Sequence, residues 1–483
     1  MRLMKTRGVI DALSESRWDD FSSYVKAEFD EIDPKMEAFI QADMKQRDFL
    51  RLCATGSRDA IESAIEEGAD LNRKAYIYGA EVPPIFAAVM EENADAVRLL
   101  IERGAHSGDG FTAAVIKGKK RLLKLLADSG GDINQNDTNG NNPLFLAVIA
   151  NKAKVVRWLI QLGADVNKRS EAGYSALTYT VLAQMRELKG RRKKLDPEII
   201  ASLMKAGAEY DEAMIIAVKS GNIPFLDIIL ANGADVNRKC MFESAQTPLM
   251  AAMFTGDKPI DAEMVKFLAE HGADLNEIFT LSPEVSTNAL NISITADRPD
   301  ITEILLSHGA NPDYTDHTGR TALVYAVVTN EEIVRILLKH GADPNIPDKN
   351  KRTPLMLAAL DVGTEPGIME ALIEHGADIN AQDEEGMTAL LWVVGGKDRG
   401  PALMLSSLIR TGGIRAEGWK SWFSLVVIYA AVKREAQLNS IRLLVSHGAD
   451  VNMPDSKGMN ALMCAMMGMD DEAVEILTNS REE

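Results

Sequence analysis

Residues 331–341 read EEIVRILLKHG. Ile333, Val334, Leu337 and Leu338 fall on one face of a helix, while Glu331, Glu332, Arg335 and Lys339 take the other. Gly341 ends that helix, because glycine adopts the left-handed conformation past the last turn without Cβ strain. Upstream, residues 321–326 (TALVYA) open a first helix, with Thr321 placed to cap its orphan N–H groups. In Thr353-Pro354-Leu355 and Thr247-Pro248-Leu249 the proline takes the first helical position, where no N–H is needed. The module is therefore two short antiparallel helices.

The module recurs along the chain. Gly-Ala-Asp starts at Gly68, Gly163, Gly233, Gly272, Gly341, Gly376 and Gly448, and looser copies start at Gly104, Gly130, Gly207, Gly309 and Gly412. Successive landmarks lie 26 to 44 residues apart, about 34 on average, which is the period of a solenoid. Between modules, Asp316-His317-Thr318-Gly319, Asp383-Glu384-Glu385-Gly386 and Asp455-Ser456-Lys457-Gly458 are turn sequences, Asp bonding forward and Gly taking positive φ. One module buries too few aliphatic side chains to offset its own ordering, so the copies must stack.

Composition narrows the function. The 483 residues hold 53 Lys plus Arg against 71 Asp plus Glu, a net charge of −18, which repels phosphate backbones and makes nucleic acid an unexpected partner. Hydrophobic residues at 46% exclude wholesale disorder. No run of 18 apolar residues occurs, and Met1 to Gly8 is not followed by an apolar segment, so neither a membrane span nor a secretory signal is expected. Cys53, Cys240 and Cys464 lie too far apart for a disulfide framework, which fits the cytoplasm.

The copies resemble ankyrin repeats. The T-P-L-x-x-A signature stands at Thr353 to Ala358 and Thr247 to Ala252, with weaker versions at Asn142 to Ala147, Thr388 to Leu391 and Asn460 to Met463. The family's His after T-P-L is replaced by Phe86, Phe145, Met250, Val324, Met356, Leu391 and Met463. The resemblance implies an all-α solenoid of about 13 repeats, each a β-hairpin finger, an inner helix and an outer helix. It also implies a monomeric scaffold that binds a protein or peptide along the groove of fingers and inner helices. We expect an N-terminal helical cap over 1–46, the solenoid over 47–453 and a C-terminal capping repeat over 454–483. Trp18, Phe21, Tyr24, Val25 and Phe29 are spaced as an amphipathic helix within that cap, and Asp33-Pro34 starts a second helix. The steps from Gly104 and Gly207 leave no room for a finger, and the step from Gly163 carries an insertion, Arg186 to Glu198.

Three residue sets are candidates for partner binding. The inner-helix position two after the first signature Ala faces the groove in the family; here it reads Met90, Ile116, Ile149, Leu182, Phe254, Val328, Leu360, Val394 and Met467. An apolar stripe there would take a partner's helix or extended segment, unless neighbouring repeats bury it as core. Finger tips supply Asn139, Asn141, Tyr174, Phe242, His317, Arg320, Lys351, Arg352, Glu384 and Met387. A basic tract of Arg186, Lys189, Arg191, Arg192, Lys193 and Lys194 would take an anionic partner, or stand as a solvated loop. Trp419 and Trp422 fall on one helix face in an irregular stretch, and Trp392 replaces a small inner-helix residue.

Chemistry finds no foothold. His271, His308, His340, His375 and His447 each precede a landmark Gly, where an imidazole suits the last carbonyls of a helix, and neither His106 nor His317 has a second ligand at metal spacing. Gln135 to Leu146 places Gly140 sixth, as in a calcium loop, but the first position lacks a carboxylate and Leu146 stands where the bidentate Glu belongs. No phosphate-binding loop, zinc-protease motif or nucleophile elbow is present. The expectation is a non-catalytic scaffold without metal or cofactor. The alternative is a regulatory inhibitor that masks a basic enzyme or a nucleic-acid-binding protein with its acidic surface.

Overall fold

The structure, a computed structural model, describes residues 34–479 apart from 78–79, 189–194, 241–245, 255–258, 283–284, 317, 361–366, 396–433 and 469. Residues 1–33, Lys189, Arg191 to Lys194, Phe242, His317, Trp419 and Trp422 therefore lie outside the described residues, as does the side chain of Arg186. The chain divides into two compact units, Met1–Asp235 and Val236–Glu483.

Each unit is an α-solenoid. The first holds the pairs Pro34–Thr55 and Arg58–Glu66, Pro84–Met90 and Ala94–Glu102, Ser107–Lys117 and Lys120–Asp128, Pro143–Ile149 and Ala153–Gln161, Ala176–Leu188 and Pro197–Lys205, then Asp211–Lys219 and Ile223–Ala231. The second holds Pro248–Met253 and Ala262–Glu270, Ala289–Thr295 and Pro299–Ser307, Ala322–Ala326 and Glu331–Lys339, Pro354–Leu360 and Gly367–Glu374, Ala389–Gly395 and 434–446, then Ala461–Met467 and Asp471–Asn479. Among the described residues that makes six pairs in each unit. Within a unit, the first helix of each pair packs on the first helix of the next.

Local chemistry sets the helix ends. Thr247 and Thr321 cap with their hydroxyls, accepting from the N–H of Met250 and Val324 at 3.2 and 3.4 Å. Asn142, Asn288 and Asn460 do the same with their amide oxygens, at 2.8, 2.8 and 2.9 Å. Gly341, at φ 85°, donates to Leu338, and Ala342 donates back to Leu337, so the terminal carbonyls are satisfied where a Cβ would be strained. The apolar face read in residues 331–341 is the core: Ile333, Val334, Leu337 and Leu338 are all buried.

An asparagine ladder registers neighbouring repeats. In five of the seven Gly-Ala-Asp copies the Asn two residues on reaches the next repeat, its Nδ2 donating to the landmark glycine carbonyl and its Oδ1 accepting a backbone N–H two residues further on. Asn237 does so on Gly272 and Asp274 (2.9 and 2.7 Å), and Asn345 on Gly376 and Asp378 (3.0 and 2.7 Å). Asn380 binds Gly448 and Asp450 (3.2 and 2.8 Å). Gln437 Nε2 also donates to the Val393 carbonyl at 2.8 Å, which pairs helix 434–446 with Ala389–Gly395. The stack thus passes directly from the Gly376 repeat to the Gly448 repeat. Gly412 lies outside the described residues.

The fingers are shorter than the resemblance implies. Among the described residues, paired strands occur at Ala75–Ile77 with Ala80–Val82 and at Phe279–Ser282 with Val285–Thr287, and Cys240 bridges Gln246. In five other fingers an Asp replaces the ladder. Asp137 takes the N–H groups of Asn139 and Asn141 on Oδ1, both at 2.9 Å, while its own N–H donates to the Asn141 carbonyl. Asp316, Asp348, Asp383 and Asp455 close equivalent loops. A carboxylate that bonds two N–H groups across so few residues leaves no backbone pair for a strand.

The boundary drawn at 46/47 falls inside the continuous helix Pro34–Thr55, whose Gln46 Nε2 donates to the carbonyls of Asp70 and Arg73 at 2.8 and 2.9 Å. In the finger-less repeat after Gly104, the inner helix begins early, at Ser107. Gly108 permits this, because a Cβ there would sit 2.2 Å from the Asn136 carbonyl oxygen.

Candidate functional site

The inner helices share one burial pattern. The residue before the candidate position is core in seven of them, Val89, Val115, Val148, Val181, Met253, Val327 and Ala359 all being buried, whereas in the last repeat Met466, before Met467, is 58% exposed. The next residue turns outward. Ile116 is 53% exposed, Ile149 39%, Val328 53%, Leu360 43% and Met467 76%. Met90, Leu182 and Phe254 are half-buried, the last through an edge contact with Phe279 at 5.9 Å. In the first unit, Met90, Ile116, Ile149 and Leu182 thus stand at one register on four successive packed helices.

Val394 is a correction: it is buried, and it occupies the core position equivalent to Ala359. With Val393 standing where other repeats have Ala, counting from the signature slips by one, and the outward residue is Gly395. The same register holds Lys219 and Thr295 in two repeats that the signature search passes over, so the row is not apolar throughout.

The finger candidates divide. Asn139, Lys351 and Glu384 are exposed, as is Tyr174 at 37%. Asn141, Arg320, Arg352 and Met387 sit on the returning limb, half-buried. Arg352 turns inward, its Nε and guanidinium donating to Asp348 Oδ2 at 2.9 and 2.6 Å, and the Arg320 guanidinium lies 5.9 Å from the Tyr325 ring centre. Among the described residues, no group of three or more His, Cys, Asp or Glu side chains is placed to hold a metal ion. No helix among them is long and apolar enough to cross a membrane.

A family model described as ankyrin repeats in 3 copies matches residues 111–188, 192–279 and 277–348, and a second, ankyrin repeats in many copies, matches 334–391. The chain belongs to the ankyrin-repeat family.

An ankyrin repeat protein of Fowlpox virus (strain NVSL) is 29% identical over 132 residues, 27% of this chain and 37% of the viral protein. The E3 ubiquitin-protein ligase Ufd4 of Drosophila melanogaster is 37% identical over 97 residues, 20% of this chain and 3% of the ligase. The E3 ubiquitin-protein ligase hecd-1 of Caenorhabditis elegans is 38% identical over 61 residues, 13% of this chain and 2% of that protein. The chain therefore covers well under half of each relative. Among solved structures, the ankyrin repeat domain of Bcl-3, a member of the IkappaB protein family, matches at 24% identity and a TM-score of 0.39, over 55% of this chain and 97% of that one.

Four fingers rest on a buried Asp (Asp137, Asp316, Asp348 and Asp383), and the second carboxylate oxygen finds a different partner in each. Asp137 takes the Thr112 hydroxyl at 3.1 Å, Asp316 the Tyr325 hydroxyl, and Asp383 the Trp392 indole N–H at 3.1 Å. Tyr325 and Trp392 each stand nine residues after their Asp, one pitch along the following helix. Trp392 is therefore a finger support, a role its sequence position did not reveal. Burial works to raise Asp316, but donors from Thr318, Tyr325 and Arg320 outweigh it and hold the carboxyl below its usual range. Asp348 is likewise lowered, burial being outweighed by Arg352.

Asp109 is the exception. It is buried, with Oδ1 accepting from the Thr138 hydroxyl at 2.8 Å and Oδ2 enclosed without a partner. Burial pushes it up, bonds from Thr138 only partly offset this, and Asp137 adds to the rise. Burial also pushes the Cys53 thiol up to about 12, which leaves it unreactive. The histidines act as helix ends: Nδ1 of His271, His308, His375 and His447 lies 2.8 to 2.9 Å from the carbonyl four residues back, and His340 Nε2 lies 3.2 Å from Glu303.

Proposed function

We propose that this chain is a non-catalytic interaction scaffold that binds a partner protein or peptide along its inner-helix rows. One observation carries the reading. At a register where the preceding residue is core, Ile116, Ile149, Val328 and Leu360 remain exposed on the inner helices or just past their last turn. Aliphatic side chains left in water cost about 25 cal/mol per Å² of apolar surface, a cost that a docked segment removes. The exposed finger residues Asn139, Tyr174, Lys351 and Glu384 would supply polar selectivity beside the row.

Val328→Asp combined with Leu360→Asp tests this. Both side chains are exposed, so the variant should keep its helical circular dichroism and melting temperature while losing about tenfold or more in affinity for peptides selected on the wild-type chain. Unchanged affinity in a folded variant would contradict the reading. Phe254→Asp is a poorer probe, since Phe254 packs on Phe279.

A further inference from the structure

The first unit carries a concentrated positive patch within an acidic chain. Residues 117–124 read KGKKRLLK, and Lys117, Lys119, Lys120, Arg121 and Lys124 are all exposed. Glu92 engages two of them, pairing with Lys119 and, at 2.7 Å, with Arg121, and these cations hold its carboxyl below the ordinary range. Lys117, Lys120 and Lys124 have no ion pair among the described residues, and neither does Lys154 on the neighbouring outer helix.

Two of these lysines, Lys120 and Lys154, stand where helix electrostatics disfavours them. The first turn of an outer helix carries the positive end of its dipole, and acidic residues belong there. Asp59, Asp95, Glu198, Glu263, Asp300, Glu331, Glu332, Asp471 and Glu472 follow that rule. Lys120–Asp128 and Ala153–Gln161 break it twice over, having neither an acidic first turn nor a capping side chain, with Lys119 and Lys152 at the cap positions. A local rule broken in two adjacent repeats, with Lys120 and Lys154 left without an ion pair among the described residues, marks a surface shaped for something outside the fold.

The cations border the exposed row. Ile116 directly precedes Lys117, and Lys152 Nζ donates to the carbonyls of Val115 and Ile116 at 2.8 and 2.7 Å, which locks the Ile116 and Ile149 helices in register. Packed helices lie about 8–10 Å apart, a spacing that one peptide side chain bridges.

We propose that the Ile116–Ile149 step docks an acidic segment of a partner protein, an aliphatic or aromatic side chain seated on the two isoleucines and carboxylates meeting Lys117, Lys120 and Lys154. This deepens the scaffold reading and rests on it. Charge complementarity chooses an acidic occupant over a basic one. Ile116 and Ile149 are about half covered by their own repeats, which suits a seat for an incoming side chain better than a wedge that inserts into lipid.

The test selects displayed 12-residue random peptides on the full chain, then measures the winners by fluorescence anisotropy against Lys117→Glu/Lys120→Glu/Lys154→Glu and against Ile116→Asp. Enriched peptides should place Asp or Glu around an apolar residue. The charge-reversed chain should bind them about tenfold or more weakly, and raising salt from ~50 to ~300 mM should weaken the wild type. Its melting temperature should hold or rise, because Glu in place of Lys120 and Lys154 suits the helix dipole. Lysine-rich winners, or winners that the charge-reversed chain retains, would overturn the proposal; if Val328→Asp/Leu360→Asp then abolished their binding, the scaffold reading would stand without it. Winners that survive every one of these variants would overturn both. Sedimentation with phosphatidylserine vesicles, lost on charge reversal while no peptide is enriched, would also overturn it and assign the patch to a membrane surface.

Discussion

Asn380 binds Gly448 across a gap of 68 residues, its Nδ2 3.2 Å from the glycine carbonyl, just as Asn345 binds Gly376 at 3.0 Å only 31 residues on. The two contacts are the same joint, so the stack keeps its register whatever length of chain separates the repeats. Two hydrogen bonds per asparagine, each worth about 0.5–1.5 kcal/mol and exposed to water, make Asn345→Ala about 1–2 kcal/mol destabilising. Urea denaturation of the second unit's repeats would show it as a lowered midpoint. No change would mean the ladder follows the packing without contributing to it.

Lys351 has φ of 58° at the loop position that Gly140, Gly319, Gly386 and Gly458 occupy in the other Asp-closed fingers. Left-handed backbone strains a side chain that glycine lacks, and Lys351→Gly should stabilise by about 0.5–1 kcal/mol. Thermal melts of the two chains would measure it, and a loss of stability would contradict the assignment.

Trp392 donates its indole N–H to the buried Asp383. Trp392→Phe keeps the ring and removes the donor, leaving a buried carboxylate oxygen unpaired at a cost of about 1–3 kcal/mol. Chemical denaturation should show that loss, and hydrogen exchange should quicken at the Glu385 and Met387 amides that Asp383 holds.

The fingers impose a pH dependence of definite sign. Asp316 and Asp348 are held below their ordinary values, so their contribution is complete above the unfolded carboxylate range near pH 4 and is lost as pH falls further. Asp109 runs the other way: its raised value favours the protonated form, and stability declines as pH climbs from about 4 toward its folded value. Asp109→Asn should flatten that upper limb in melts taken from pH 4 to 7. An unaltered profile would mean that the enclosed Oδ2 is hydrated.

Helices, caps and core faces were legible because each depends on residues within one turn. The burial of Ile333, Val334, Leu337 and Leu338 follows from a 3.6-residue period alone. The Asn380–Gly448 joint was not legible, because a glycine comb marks helix ends without saying which repeats touch. Val394 was assigned to the outward row because Val393 hides the small-residue marker that sets the count. The positive patch at Lys117 to Lys124 passed unnoticed: its residues are ordinary for a helix, and only comparison with the acidic first turns of other outer helices reveals the anomaly.

Hydrogen exchange of the full chain, with and without a peptide selected on it, tests the docking claim most directly. The account predicts slowed exchange in the inner helices that carry the exposed row, Ser107–Lys117 with Pro143–Ile149 or Ala322–Ala326 with Pro354–Leu360, and in the fingers beside them. Slowing confined to the outer helices Lys120–Asp128 and Glu331–Lys339, with those inner helices unchanged, would contradict it.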